Sequence, residues 1–391
     1  MDLAAVQAAL RADDLDGWLL YDFHGANPIA AGLVGLAGSG KMTTRRWYYL
    51  IPSQGEPRGL VHAIERFVLD ELPGTKAPYA GRRELETGLD GLLGGLRRVA
   101  MEYSPKCAIP YVSRVDAGTV ELVRQRGVEV VSSGDLVQRF EARWSDRQLE
   151  SHVEASARLY RIKDRAFTAI GERLRKRVPT TEFDIQQLMT GWFADEGLVT
   201  DSAPVVAAQE HAGLPHYSPD ERTSRAVGRD EVILLDLWGK LPDHGSVFAD
   251  ITWVGFTGSR VPEPYGRAFA VVSRARDAAI ELVQGAAREG RDLRGWEVDR
   301  RARGVIQDAG LGEYFIHRTG HSLGEQVHGN GVHMDDYETH DDRRLLPGTG
   351  FTIEPGVYFD SFGIRSEINM YFGAGEALVT GAMQTEMMTL V

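Results

Sequence analysis

The spacing of apolar residues changes along the chain, and the change separates two regions. In the first, short apolar runs of strand type alternate with stretches of helical spacing. Leu3 to Ala12 is periodic at three to four residues, and GWLLYD (17–22), RRWYYLIP (45–52), VAMEY (99–103) and VEVVSS (128–133) read as strands. This alternation predicts an α/β layer domain over 1–144. From Ser145 the texture differs. Residues 146–177 contain no proline and one glycine and keep an apolar stripe, which predicts a long amphipathic helix. Thr180-Thr181 caps a second helix over 182–196. Two strand-type runs follow, VILLDLWG (232–239) and VFADITWVGF (247–256). The order then recurs, with helical spacing over 263–288 and 294–309 and strand-type runs over 348–359 and 363–372. An α+β domain with pseudo-twofold symmetry is expected over 145–391.

LPDHG (241–245) has turn composition, so 232–239 and 247–256 are expected to pair as an antiparallel hairpin. Centred on Asp243, that hairpin sets Asp236 directly opposite Asp250, with Cβ atoms about 4.5–5.5 Å apart. A second hairpin turning at Asp360-Ser361 sets Glu354 opposite Glu367, with a looser register because Pro355 donates no ladder hydrogen bond. Two like charges about 5 Å apart repel by roughly 3 kcal/mol at an effective dielectric of 20. Four carboxylates in apolar strands therefore need protons, basic partners such as Arg365 or Lys240, or metal ions. Two register-matched pairs are better explained by a dinuclear metal site than by four strand-end carboxylates reaching solvent.

Composition narrows the chemistry further. The 391 residues include 44 basic and 56 acidic ones, a formal charge of −12, so there is no surplus of cations to neutralise phosphates and nucleic acid is not expected as a partner. No run approaches the roughly 20 apolar residues of a bilayer span, so no membrane association is expected. The opening MDLAAVQAALRADDLDG is acidic where a secretory leader is basic, and a cytoplasmic location is expected. Cys107 is the single cysteine, which excludes a disulfide within the chain and leaves oxygen and imidazole as the available metal ligands. Of 11 histidines, His317, His321, His328, His333 and His340 fall close together, and glycines around His321 allow close approach. One imidazole with several carboxylates is a borderline-to-hard donor set, suited to Mn²⁺ and also to Co²⁺ or Zn²⁺.

At these residues the sequence resembles the pita-bread metallopeptidases, the family of methionine aminopeptidases, Xaa-Pro aminopeptidases and Xaa-Pro dipeptidases (prolidases). The resemblance extends over 145–391. Asp236 in ILLDLWG and Asp250 in FADIT match the family's two aspartates, and His321 in TGHSLG matches its ligand histidine. Glu354 in FTIEPGVY and Glu367 in GIRSE match its two glutamates. His216 in PHYSP, His317, His328 and Arg365 match further pocket positions. The proline-specific branch fits best, because PHYSP and HGNGVHMDD look like Xaa-Pro peptidases and GWLLYDFHGANP resembles their creatinase-type first domain. Two departures stand out. Trp238 occupies a position where family members often have a small residue, and VHGNG lacks the acidic residue often found after that histidine.

The resemblance implies two divalent ions per subunit, Mn²⁺ foremost. Asp236 would bind one, His321 and Glu354 the other, and Asp250 and Glu367 would bridge them. It further implies Glu354 as the proton carrier, and His216 and His328 as hydrogen-bond partners of the substrate. His317 would line the proline pocket, and Arg365 would steer a carboxylate or buttress the ligands. The implied substrates are small peptides with proline second, the implied reaction is hydrolysis of the Xaa-Pro bond in dipeptides, and a homodimer is the implied assembly. The alternative is an aminopeptidase acting on longer Xaa-Pro peptides.

Three other readings carry less weight. GLAGSGK (35–41) approaches a phosphate-binding loop, but Met42 stands where a Mg²⁺-binding hydroxyl is needed, and a strand follows where a helix is required. A creatinase-like hydrolase that works without metal would not keep all five ligands. Non-catalytic relatives also lose ligands.

Overall fold

The computed structural model describes residues 2–391. By internal contacts the chain divides into a unit ending at Glu141 and a second unit, Ala142–Val391.

The first unit is built on β1 (Gly17–Asp22), β2 (Trp47–Pro52), β3 (Arg58–His62), β4 (Thr75–Tyr79), β5 (Arg98–Met101) and β6 (Glu129–Ser132). They form one six-stranded sheet in the order β4-β3-β2-β1-β5-β6. β1 and β2 are buried along their whole length because helices cover both faces. Trp18 and Leu20 meet Val6 and Leu10 of the Leu3–Ala12 helix on one side. Leu19 and Tyr21 meet Leu85, Leu89 and Val120 on the other. Two-sided burial explains why these strands read as continuous apolar runs rather than alternating ones. In the glycine-rich loop, Gly35, Gly38 and Gly40 take positive φ. No helix follows that loop before β2, so the loop lacks the helix N-terminus that binds phosphate in a nucleotide site.

The second unit repeats one pattern. The helices Asp146–Arg175 and Glu182–Asp195 precede a sheet containing β7 (Val205–Ala208), β8 (Val232–Gly239) and β9 (Ala249–Phe256). The helices Glu263–Glu289 and Gly295–Asp308 precede β10 (Ser322–Leu323), β11 (Thr349–Ile353), β12 (Gly356–Phe359), β13 (Phe362–Arg365), β14 (Ile368–Phe372) and β15 (Ala377–Val379). A last strand, β16 (Met388–Thr389), returns to the first sheet beside β9. Ser145 and Thr181 cap the first two helices with capping boxes, Glu263–Glu289 begins after Pro262 without a side-chain cap, and Glu297 reaches back to the Arg294 amide at the start of the last. Each half has its own apolar core: Leu159, Ile162, Phe167 and Ile185 under the first pair, and Val272, Ala279, Val298 and Ile306 under the second. Among the described residues no helix is long and apolar enough to cross a membrane.

The sequence pattern does not mark β3, β4 or β7, and three further differences bear on the site. β9 begins at Ala249 rather than at residue 247. The runs 348–359 and 363–372 are each broken in two, at Glu354-Pro355 and at Ser366-Glu367. The register of the β8–β9 hairpin is also shifted, and this shift alters the geometry of the site.

Candidate metal centre

Strand alternation decides which side chains of β8 and β9 reach the centre. In β8, Ile233, Leu235 and Leu237 enter the first core, while Val232 and Leu234 turn to the second. Asp236 and Trp238 continue that second face. β9 repeats the division, with Ala249 and Ile251 in the first core and Val254 and Phe256 in the second. Asp250 and Thr252 share the latter face. The hairpin is thus apolar at one end of this face and polar at the other.

The expected direct pairing of Asp236 with Asp250 is corrected by the ladder. Asp236 lies opposite Thr252, and Asp250 lies opposite Trp238. The aspartates are diagonal neighbours on one face, a relation that spaces residues by roughly 7–8 Å instead of about 5 Å. The cause is the connection, residues 240–248, in which the LPDHG turn sits off centre.

The second pair behaves differently. Ile353 pairs with Ile368, and Gly356 pairs with Arg365, so the ladder keeps one alignment on both sides of the break. Glu354 and Glu367 occupy the interruption itself. Released from regular pairing, the Glu354 amide donates to Thr319 O at 2.7 Å and the Glu367 amide to Thr252 O at 3.3 Å.

His321 is held against this break. Its amide donates to Thr352 Oγ1 and its carbonyl accepts from Thr352 N, both at 2.9 Å. The preceding residue has to be glycine, because a Cβ on Gly320 would lie 2.0 Å from Thr352 O. The ligand atoms of Asp250, His321 and Glu367 come within 4.8 Å of one another. His321 Nε2 lies 3.5 Å from Asp250 Oδ2 and 3.4 Å from Glu354 Oε1. Asp236 joins through Arg365, whose guanidinium donates to Asp236 Oδ2, to Thr252 Oγ1 at 3.0 Å and to the Tyr358 hydroxyl at 3.3 Å. Thr252 in turn donates to Glu367 Oε2 at 2.7 Å.

Electrostatically the centre is short of cations. Burial raises the Asp250 carboxyl to about 7 against the pull of Arg365. Burial also raises Asp236, but only to about 6, since Arg365 binds it directly. Glu354 is raised and Glu367 is raised well above the carboxylate range, by burial first and then by the neighbouring carboxylates. Burial lowers His321 to about 4, so its imidazole is neutral and free to act as a ligand. Asp250 Oδ1 and Glu367 Oε1 are buried without a hydrogen-bond partner. An unsatisfied buried acceptor costs about 1–3 kcal/mol. Lone oxygens beside a neutral imidazole fit a divalent cation.

The histidine cluster disperses in the fold. His328 packs on His321 at 4.4 Å between ring centroids. His317 is tied back, with Nδ1 2.6 Å from Arg318 O and Nε2 2.7 Å from the Tyr358 hydroxyl. His333 is buried and accepts from Ser322 N, while His340 pairs with Asp336 at the surface. His216 is exposed on the loop after β7, close enough to act electrostatically on Asp236 and His328. Buried Glu182 anchors that loop. It accepts from Ala208 N at 2.7 Å, the Tyr217 hydroxyl at 2.6 Å and Arg225 N at 2.9 Å, and its Oε2 lies 2.9 Å from His211 Nδ1.

Sequence reasoning does not find Glu182, Thr252, Thr352 or Tyr358. Tyr358 lies within GVYF, whose apolar run reads as core, although its hydroxyl links Arg365 to His317. Tyr358→Phe is expected to lower metal affinity or turnover by about 10–100-fold while the protein still folds. Metal titration and kcat/KM, with circular dichroism as the folding control, check this.

Two helix-and-hairpin halves closing on carboxylates and a histidine make the pita-bread arrangement of a metallopeptidase. The model of metallopeptidase family M24 matches residues 154–374, and the chain belongs to that family. It is similar to the probable dipeptidase PepE of Mycobacterium bovis, at 29% identity over 245 residues, which cover 62% of this chain and 59% of that relative. The chain thus spans about three-fifths of that relative's length. It is also similar to the Xaa-Pro dipeptidase of Lactobacillus helveticus, at 32% identity over 202 residues, 51% of this chain and 49% of that one. Among solved structures, the dipeptidase PepE from Mycobacterium ulcerans shares its fold, with a TM-score of 0.70 and 23% identity over 99% of this chain and 96% of that one.

Proposed function

We propose that the chain is a dinuclear-metal-dependent peptidase that hydrolyses the Xaa-Pro bond of dipeptides. The observation that carries this reading is the convergence of buried, under-compensated carboxylates on one neutral histidine. The dipeptidase names of its relatives support it. Asp236, Asp250, His321, Glu354 and Glu367 are the residues that would hold the ions, with Mn²⁺ suited to the donor set. Such ions, when bound, polarise a carbonyl and acidify a water.

The remaining work belongs to side chains. An Xaa-Pro bond is a tertiary amide without an N–H, so its leaving nitrogen needs a proton as the bond breaks. Glu354 carries that proton. Thr352 Oγ1 bonds its Oε1 at 3.1 Å, which leaves Oε2 to take a proton from the attacking water and return it to the proline nitrogen. His328 is kept neutral, by desolvation first and then by His321, and offers an N–H to the developing oxyanion. His216 hydrogen-bonds the substrate, His317 lines the proline side, and Arg365 holds Asp236 in place. A homodimer in the cytoplasm completes this reading.

The test is an assay of an Xaa-Pro dipeptide beside an Xaa-Pro-Xaa tripeptide, with Mn²⁺ and after chelation. Dipeptide cleavage that chelation removes and Mn²⁺ restores is the expected result. Equal cleavage of the tripeptide would identify an aminopeptidase instead, and activity that survives chelation would reject the metal assignment.

A further inference from the structure

Beyond His328 lies a cavity of about 500 Å³ lined by Asp201, Lys240, Phe248, Glu325, Val327 and His328 among others. Its distinguishing feature is Asp201, a lining carboxylate that the metal centre does not use and that a residue outside the lining, Trp238, holds in place. Trp238 stands opposite Asp250 in the ladder, on the face that carries the ligands. Its indole Nε1–H donates to Asp201 Oδ1 at 2.6 Å. An indole N–H fixes a carboxylate in place without neutralising it.

The cation of the cavity is already engaged. The Lys240 ammonium donates to the Glu325 carbonyl at 2.6 Å and lies 5.1 Å from the centre of the Phe248 ring. The lining carries two carboxylates, Asp201 and Glu325, against the single Lys240 ammonium, and Asp201 is the one held in place by an indole.

We propose that this cavity receives the side chain of the residue on the N-terminal side of the scissile bond, and that Asp201, positioned by Trp238, selects lysyl and arginyl peptides there. The inference rests on the Xaa-Pro peptidase reading and names its substrate class. His328 joins the two regions, since it lines the cavity and packs 4.4 Å from His321. With the scissile carbonyl at the centre, the proposal directs the first side chain past His328 toward the cavity. A lysyl or arginyl stem is apolar and lies well against the Phe248 and Val327 side chains of the lining, while its charged head seeks a carboxylate. An acidic first residue meets like charge and is disfavoured.

The experiment compares kcat/KM for Lys-Pro, Met-Pro and Glu-Pro in the Mn²⁺-loaded full chain and in Asp201→Asn and Trp238→Phe. Wild type is expected to favour Lys-Pro over Met-Pro by about tenfold, and Asp201→Asn to remove about that factor from the ratio. Trp238→Phe should lower the ratio less, because the carboxylate remains but loses its tether. Calorimetric titration of the metal-free chain gives a readout without turnover. Lysinamide should bind more tightly than norleucinamide, and Asp201→Asn should abolish the difference. If Asp201→Asn slows all three dipeptides by one factor, Asp201 serves the α-ammonium they share, and side-chain selection is overturned. A wild type without preference overturns the inference but leaves the peptidase reading standing. A wild type that cleaves none of the three overturns both.

Discussion

Asp250→Asn is expected to cost the chain its metal and more than about a hundredfold in kcat/KM, yet to raise the melting temperature of the metal-free protein. The loss exceeds that of an outer-shell change because the side chain offers a ligand oxygen directly. The gain in stability has a separate cause. Asp250 is 5% exposed, its Oδ1 has no hydrogen-bond partner, and burial pushes its carboxyl up to about 7. Asparagine keeps the shape and removes a charge from a group of four carboxylates. Relief of part of a repulsion worth roughly 3 kcal/mol per close pair should appear as an increase of roughly 2–4 °C at pH 8. Calorimetry of both proteins with chelator measures it. A variant less stable than metal-free wild type would mean that Asp250 is a structural carboxylate and not one held ready for a cation.

Metal uptake is expected to weaken steeply as pH falls from 7 to 5 and to release protons. Asp250 at about 7 and Asp236 at about 6 hold protons near neutrality, and Glu367 holds its proton more firmly still. A cation must displace them. Their folded-state pKa values lie above the ordinary carboxylate range. The stability these groups contribute to the metal-free protein is therefore fully present below about pH 4 and is lost as pH rises through 6 and 7. Bound cations restore it. His321 and His317, lowered to about 4 and about 3, act with the opposite sign, because their contribution is present above about 6.5 and fades as pH falls. The gap in melting temperature between loaded and metal-free protein should widen from pH 5 to 8. Titration of Mn²⁺ at pH 6.5 in buffers of different ionisation enthalpy should show at least about one proton released per chain. Metal binding that releases none would contradict the protonated resting centre.

Much of the frame was legible because it follows from periodicity. Leu3–Ala12, Gly17–Asp22 and Val232–Gly239 begin and end where the apolar pattern puts them. The residue types of the centre were legible too, since four acidic side chains in apolar strands demand compensation. Register was less accessible. It depends on how many residues the 240–248 connection absorbs, and turn composition alone does not reveal that number. Of the two strand breaks, Pro355 hinted at the one beside Glu354, while the one at Ser366-Glu367 carried no breaker residue. Residues that act through a single hydroxyl or a buried carboxylate, such as Tyr358 and Glu182, leave no trace in hydropathy, since their partners lie far away in sequence. His340 illustrates the opposite error: close spacing in sequence suggested a common site, and the loop carries it to the surface beside Asp336.

The division of the β8–β9 face into an apolar end and a polar end has a consequence for the life of the molecule. Both cores close on Ile233, Leu235, Val254 and Phe256 without help from the ligand-bearing end. The sheet can therefore assemble before any cation arrives, and the finished protein can be emptied and refilled. Folding and loading are then separable steps, and circular dichroism of the chelated chain, expected to match that of the Mn²⁺-loaded chain, checks it.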